Sequence, residues 1–244
     1  YVPGVIGLET FAQASELLSA TPPATLKDVR FAVPIKLLRN KPAEIRINAR
    51  SAADGNEIRL ESDFVSPKGM RLGQTRVHFK SVAAAETETA WTDAVKPVLP
   101  KTKKYKVEAQ TIYKTYFHGP SFQVLDGILA LDKNSVLAVF KRPQVPLWKN
   151  TRQKLIFHPL VFESLFQACG WRDIHFDRAI ALPDAVGAAI VYDHDSHDPD
   201  RLYLYGIFKG RTEDGRSLYD AWAFDENFKL TAEIRDYAMI PTQI

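Results

Sequence analysis

The chain has 244 residues, of which 45% are hydrophobic and 25% charged, and its formal net charge is +3. The length suits one large domain or two small ones, and the composition is typical of a folded globular protein, which excludes disorder as the main state. The charge is too small to indicate nucleic-acid binding, and basic residues alternate with acidic ones instead of clustering. Apolar runs such as Ala185–Val191 fall far below the roughly 18 residues that a membrane span needs.

The cysteine content and the first residues bear on the setting of the chain. One cysteine, Cys169, excludes an internal disulfide framework and fits a reducing, cytoplasmic compartment. We expect no signal peptide. Because Tyr1–Gly4 correspond to the middle of a motif described below, we expect the sequence to be part of a longer protein.

The first third of the chain predicts a helix followed by an antiparallel meander. Apolar and small residues at helical spacing predict a helix over Val5–Ala20, which Thr21-Pro22-Pro23 cannot continue. A period of two then predicts strands with one solvated face. The strands are Glu44–Arg50, Glu57–Val65 and Thr75–Val82, with turns at Asp54-Gly55 and Pro67-Lys68-Gly69.

The rest of the chain repeats this order after a change in composition. A run of Ala, Glu and Thr followed by prolines and lysines predicts a linker over residues 85–105. A strand-rich stretch, Val107–Arg142, precedes a helix over His158–Asp173 that is apolar on most sides and therefore predicted to be buried, wrapped by a sheet. Four further strands are predicted at Ala185–Tyr192, Leu202–Phe208, Ser217–Phe224 and Leu230–Met239, with a hairpin turn at Asp214-Gly215.

The two long helices share a short pattern that indicates duplication. Each carries Glu-x-x-x-Gln after a proline, as Glu9 with Gln13 and Glu163 with Gln167. A long helix wrapped by an antiparallel sheet is the hotdog arrangement. We therefore predict an α+β double hotdog with an N-terminal hotdog over residues 1–84 and a C-terminal hotdog over residues 106–244.

Three ordered motifs carry a family resemblance. They are Pro3-Gly4-Val5-Ile6-Gly7-Leu8-Glu9-x-x-Ala12-Gln13, Phe117-His118-Gly119-Pro120-Ser121-Phe122 and His158-Pro159-x-x-x-Glu163-x-x-x-Gln167. The set resembles the dehydratase domains of polyketide synthases and polyunsaturated fatty-acid synthases, and it spans nearly the whole chain. In three respects the chain departs from the family. The catalytic His of the family would fall before Tyr1, Glu163 replaces the usual Asp, and His118 replaces a common Tyr.

The resemblance implies removal of water from a 3-hydroxyacyl chain on an acyl carrier protein. A base takes the proton next to the thioester carbonyl, and an acid protonates the leaving hydroxyl. The upstream His is the implied base and Glu163 the implied acid. Glu163 lies between Phe162 and Leu165, and a carboxyl group among apolar neighbours keeps its proton more readily than one in water. The alternative is a buried Glu satisfied by a neighbouring backbone group.

Substrate contacts are assigned with their alternatives. Gln167 would bind the substrate hydroxyl or orient Glu163, or else cap a local polar group. Gly119 and Pro120 would form a wall or an oxyanion donor for the thioester carbonyl, or simply bend a strand. His158 could assist, although a positional role at the start of the helix is favoured. Pro3 and Gly4 belong to the motif and are expected beside the substrate.

Other residues are given structural roles. Glu9 would need an imidazole near Lys149, Asn150 and Thr151, which offer none, so Glu9 is predicted to be structural and the molecule to hold one site at most. His118 is predicted to be packed or exposed and not a base. Cys169 is predicted to be a small core residue. Tyr192–Asp200 contains ligand residue types, but its spacing matches no metal site, so a solvated turn is predicted and no metal.

The resemblance also implies partners and leaves alternative functions open. The substrate would be carried on phosphopantetheine and no other cofactor would be needed. Neighbouring synthase domains are expected, and a homodimer is left open. The lysine-rich stretch Lys101–Lys106 could meet an acidic carrier protein, but a solvated linker is favoured. A non-catalytic dehydratase-like domain and a cyclase of the product-template type, on the same fold, are the alternative functions.

Overall fold

The computed structural model describes residues 1–37, 42–65, 70–86, 90–101, 104–148, 154–192 and 201–242. The helices are α1 (Gly4–Ser19), α2 (Ala109–Thr115) and α3 (Pro159–Asp177). The strands are β1 (Thr25–Phe31), β2 (Arg46–Ala52), β3 (Gly55–Val65), β4 (Arg71–Ala84), β5 (Val107–Glu108), β6 (Leu125–Leu131), β7 (Ser135–Lys141), β8 (Ile180–Val191), β9 (Arg201–Arg211), β10 (Ser217–Phe224) and β11 (Leu230–Thr242).

All the strands join one antiparallel sheet in which the two halves of the chain meet edge to edge. The strand order is β2-β3-β4-β1-β8-β11-β10-β9-β7-β6-β5, so β1–β4 occupy one end and β5–β11 the other. The halves join where β1 pairs with β8, in a register that sets Thr25 opposite Ile190 and Arg30 opposite Ala185. Each half has its own long helix, since α1 packs against β1–β4 and α3 packs against β6–β11, and the two helices contact each other. The predicted α+β double hotdog is confirmed.

Helix α1 lies so close to the sheet that a side chain has no room at Gly7. A Cβ atom there would be 2.7 Å from Cδ2 of Phe79 on β4. The helix ends at Ser19, after which Ala20 adopts a left-handed conformation and donates its N–H to the carbonyl of Glu16. Two prolines follow, and because proline has no N–H, the helix cannot continue through them. The predicted end of the helix is confirmed.

Helix α3 is the central element of the C-terminal half. Every residue from Pro159 to Asp173 is buried, as predicted from its apolar character. A helix with no solvated face must be enclosed by other elements, and here the sheet, α1 and the residue 116–124 segment enclose it. This places Glu163 and Gln167, both polar, inside the core.

Residues 107–142 differ from the strand-rich stretch that the sequence predicted. Beside β5, β6 and β7 they contain helix α2 and a single 3₁₀ turn at Pro120–Phe122. Strands were expected where α2 forms, and that expectation was wrong. Only Ile112 of this short helix is buried, so the sequence shows no helical period of apolar residues there. The predicted turn at Pro67-Lys68-Gly69 lies outside the described residues.

The described part of residues 85–105 has no helix or strand, and it packs on the outer face of the C-terminal sheet. The Trp91 ring lies 5.5 Å from Trp222 and 5.0 Å from Phe224, measured between centroids. The fully buried Glu233 accepts the backbone N–H of Ala90 at 3.2 Å. This segment therefore covers apolar surface. The boundaries of the two hotdogs and the linker stay a prediction.

None of the helices formed by the described residues has both the length and the apolar character that crossing a membrane requires.

Candidate active site

One large cavity lies between the two halves of the molecule and takes its walls from both. Its volume is about 1350 Å³. The N-terminal half contributes residues at the start of α1 and on β1 and β4, and the C-terminal half contributes the segment after α2 and one face of α3. The lining includes Pro3, Gly4, Phe31, Phe79, His118, Gly119, Phe122, Glu163 and Phe166.

Glu163 brings a carboxyl group from α3 to the wall of this cavity. The residue is only 7% exposed. Its Oε1 accepts a hydrogen bond of 2.9 Å from the amide of Gln167, one helical turn later. Nε2 of His118 lies 3.0 Å from the same oxygen, at ion-pair distance. Among the described residues no group bonds to Oε2, so the two carboxyl oxygens have different surroundings.

Gln167 is fully engaged by protein groups. Its Nε2 donates to Glu163 and, at 2.9 Å, to the carbonyl of Phe122. Its Oε1 accepts the hydroxyl of Tyr113 at 2.9 Å, and that hydroxyl in turn accepts the backbone N–H of Leu125 at 2.6 Å. Burial raises the pKa of Tyr113 well above its ordinary value, so its hydroxyl keeps the proton that it donates. Gln167 does not line the cavity; of its predicted roles, the geometry matches orientation of Glu163.

His118 is a site residue whose contact with Glu163 the sequence analysis did not predict. Its ring stacks on Phe117 at 4.8 Å and meets Tyr116 edge-on at 5.0 Å. Its Nδ1 is buried and has no hydrogen-bond partner among the described residues. Packing of the ring agrees with the prediction, but the prediction missed the contact with Glu163. No local pattern joins two residues 45 positions apart, and the only available signal was the replacement of the Tyr common at this position in the family.

The remaining predicted substrate contacts divide into two groups. Pro3, Gly4 and Gly119 line the cavity. Pro120 starts the 3₁₀ turn on the exposed side and does not line it. His158 also lies outside the lining and caps α3, since its carbonyl accepts the N–H of Val161 at 3.1 Å.

Glu9, the counterpart of Glu163, is closed off by backbone groups. Its carboxylate accepts the N–H of Ile156 at 3.1 Å to each oxygen, the N–H of Phe157 at 2.6 Å and the amide of Gln13 at 2.6 Å. Burial raises the pKa of Glu9, an effect that these hydrogen bonds oppose. These contacts agree with the structural role predicted for Glu9. Lys149, Asn150 and Thr151 lie outside the described residues.

Two further predictions concern reactive groups. Cys169 is fully buried, and its burial raises the thiol pKa well above the ordinary value, which confirms a core residue. Within the described ranges no three His, Cys, Asp or Glu side chains converge as metal ligands would. Of the predicted turn at Tyr192–Asp200, all residues after Tyr192 lie outside the described residues.

Comparison with known proteins identifies the family. The profile described as "Polyketide synthase dehydratase N-terminal domain" matches residues 83–243, about two thirds of the chain. The chain belongs to the polyketide synthase dehydratase family, as the motifs predicted, and it is a dehydratase domain of a polyketide synthase. A search of curated protein sequences found no match.

Solved structures support the fold independently. The dehydratase domain of PpsC from Mycobacterium tuberculosis superposes with a TM-score of 0.76 at 14% identity, covering 100% of this chain and 85% of that one. MlnD from Bacillus amyloliquefaciens gives 0.73 at 17% identity, with 96% and 83% covered. The dehydratase domain from the CurJ module of the curacin polyketide synthase gives 0.74 at 17%, with 99% and 83% covered. The PpsC domain has also been solved in complex with C12:1-CoA.

Proposed function

We propose that this domain eliminates water from a 3-hydroxyacyl thioester and releases the 2-enoyl thioester. The observation that carries the proposal is the placement of the Glu163 carboxyl group in a dehydratase-family fold. Protein groups contact its Oε1, and the residue lines a large cavity. A carboxyl group in such a setting can protonate a leaving hydroxyl.

The chemistry requires two proton transfers. Oε2 of Glu163 gives its proton to the 3-hydroxyl, the bond between C3 and oxygen breaks, and water leaves. The electrons of the C2–H bond form the double bond as a base takes that proton. The family motif assigns this base to an imidazole that precedes Pro3. Pro3 and Gly4 line the same cavity as Glu163, which supports this assignment.

The proposed substrate class follows from the cavity walls. Rings of Phe31, Phe79, Phe122 and Phe166 line the cavity and suit an aliphatic acyl chain. The PpsC domain has been solved in complex with C12:1-CoA, which is also an aliphatic acyl thioester. We propose that the acyl chain arrives on the phosphopantetheine of an acyl carrier protein, delivered beside neighbouring synthase domains. Since elimination moves protons and no redox equivalents, the reaction calls for no redox cofactor.

The test is an elimination assay on the protein that carries this chain. A 3-hydroxyacyl pantetheine thioester is the probe, and loss of one water is followed by mass spectrometry. The wild-type protein is expected to form the enoyl thioester and Glu163→Gln to lose the activity. A wild-type protein that binds the probe without converting it would instead support a non-catalytic domain, and a cyclised product would support the product-template alternative.

A further inference from the structure

The two oxygens of the Glu163 carboxyl group are not equivalent. Oε1 faces two nitrogen atoms, Nε2 of Gln167 at 2.9 Å and Nε2 of His118 at 3.0 Å. Oε2 has no partner among the described residues. An oxygen that accepts one N–H and has a second nitrogen atom within 3.0 Å is a poor place for a proton, because that proton would lie against another N–H group. A protonated Glu163 therefore carries its hydrogen on Oε2.

His118 can act as a donor to Oε1 only if its Nε2 carries the hydrogen. Its ring packs against Tyr116 and Phe117, and its buried Nδ1 has no hydrogen-bond partner in the part of the chain that the structure describes. Hydrogen on Nδ1 would leave a buried donor unpaired and present a bare Nε2 to a carboxyl oxygen. The surroundings therefore select the tautomer with hydrogen on Nε2, the ring nitrogen that lies 3.0 Å from Oε1 of Glu163.

We propose that His118 is a positioning residue for Glu163. Together with Gln167 it holds Oε1, so that the exchangeable proton lies on Oε2 toward the cavity. After Glu163 has given up that proton, the same two donors stabilise the carboxylate that remains. This inference rests on the proposed function. It adds a residue at the position where the family commonly has Tyr.

Two substitutions of similar polarity test the role. His118→Gln places an amide nitrogen near the position of Nε2, whereas the shorter His118→Asn places it near the position of Nδ1, out of reach of Oε1. We expect His118→Asn to lower kcat about ten- to a hundredfold, as for loss of a donor to a charged acceptor, with KM nearly unchanged. We expect His118→Gln to recover most of that loss.

Melting temperatures of both variants serve as the fold control, and Glu163→Gln separates the two proposals. Equal kcat for His118→Asn and the wild type, or equal losses for both His118 variants, would overturn the positioning role. If Glu163→Gln is inactive while His118→Asn is fully active, only the role of His118 fails. If the wild type does not convert the probe, or Glu163→Gln converts it normally, the proposed function itself fails.

Discussion

Glu9 and Glu163 occupy matching places on the two long helices, yet of the two only Glu163 lines the cavity between the two halves of the molecule. Each accepts the amide of the glutamine one turn later, at 2.6 Å for Glu9 and 2.9 Å for Glu163. The difference lies in the segment that approaches each carboxyl group. Glu9 meets the N–H groups of Ile156 and Phe157, whereas Glu163 meets the His118 imidazole and open space.

The duplicated sequence offers a reason for this asymmetry. Ile156 and Phe157 stand seven and six residues before Glu163, and Val2 and Pro3 stand at the same offsets before Glu9. Val2 gives its N–H to the carbonyl of Ile35 at 2.9 Å, and Pro3 has no N–H. Val2 and Pro3 therefore cannot donate a backbone N–H to Glu163 in the way that Ile156 and Phe157 donate to Glu9. Both Val2 and Pro3 line the same cavity as Glu163.

The first prediction concerns the hydroxyl that orients Gln167. Tyr113→Phe removes the donor to Gln167 Oε1 and the acceptor for the buried N–H of Leu125. We expect the free energy of unfolding to fall by about 1–3 kcal/mol, the cost of an unpaired buried group. We also expect a lower kcat, because the Gln167 amide can then turn away from Glu163. Chemical denaturation and the elimination assay measure the two effects.

Tyr105→Phe is the matched control for Tyr113→Phe. It also removes a phenolic hydroxyl, one that donates to Asp126 and lies outside the cavity lining. Its kcat should equal that of the wild type. A Tyr113→Phe variant with unchanged kcat would show that Gln167 keeps its orientation without this hydroxyl.

The second prediction concerns the contact that places Tyr116 beside His118. A Cβ atom on Gly170 would lie 2.8 Å from the Tyr116 hydroxyl, which donates to the carbonyl of Gln167 at 2.7 Å. We expect Gly170→Ala to cost about 1–3 kcal/mol of stability through overpacking, despite the better helix propensity of Ala. It should also lower kcat, because the displaced Tyr116 ring contacts His118.

A double-mutant cycle identifies the cause of that loss. In a Tyr116→Phe background the clashing oxygen is absent, so Gly170→Ala should cost less stability there than in the wild type. An equal cost in both backgrounds would mean that the strain lies elsewhere in α3.

The third prediction is that Tyr105, just before β5, makes the stability of the fold depend on pH. Burial, and then the hydrogen bond to Asp126, raise the pKa of Tyr105 from near 10 to about 12. A raised pKa in the folded state gives stability that is complete below the unfolded value near 10 and is lost as pH rises through about 12. The stability advantage of the wild type over Tyr105→Phe should therefore be larger at about pH 9 than at about pH 12.

Asp126→Asn supplies the control, since it removes the charge that disfavours the phenolate. Ultraviolet titration should then find the Tyr105 pKa closer to its ordinary value. An unchanged stability difference between the wild type and Tyr105→Phe across this pH range would contradict the assignment.

The sequence predicted those elements whose burial follows a regular period. Helix α1 and strand β10 match their predicted ranges to within one residue. Buried positions recur along α1 at the helical period, whereas β10 alternates only in its first half and is buried throughout Ala221–Phe224. Helix α2 was not predicted, because a helix that buries only Ile112 leaves no repeating apolar pattern in the sequence. The packing of Trp91 on the outer face of the sheet was also missed, since the composition around it indicated a linker.

The candidate site was predictable only in part for a different reason. Glu163 could be singled out because a carboxyl group on an apolar helix matches a family motif. The approach of His118 to Glu163, and of Ile156 to Glu9, joins residues 45 and 147 positions apart. Such contacts are produced by the assembled fold and leave no periodic trace in the sequence.

The most direct measurement compares kcat for Glu163→Gln and Glu9→Gln in the elimination assay. A Gln at 163 keeps an oxygen for His118 and Gln167 but cannot deliver the acid proton, so kcat should fall by about 10²–10⁴ with the fold intact. A Gln at 9 sets an amide N–H against backbone N–H groups, so it should cost about 1–3 kcal/mol of stability and leave kcat nearly unchanged. Normal turnover by Glu163→Gln, or an equal loss in both variants, would contradict a single site built on Glu163.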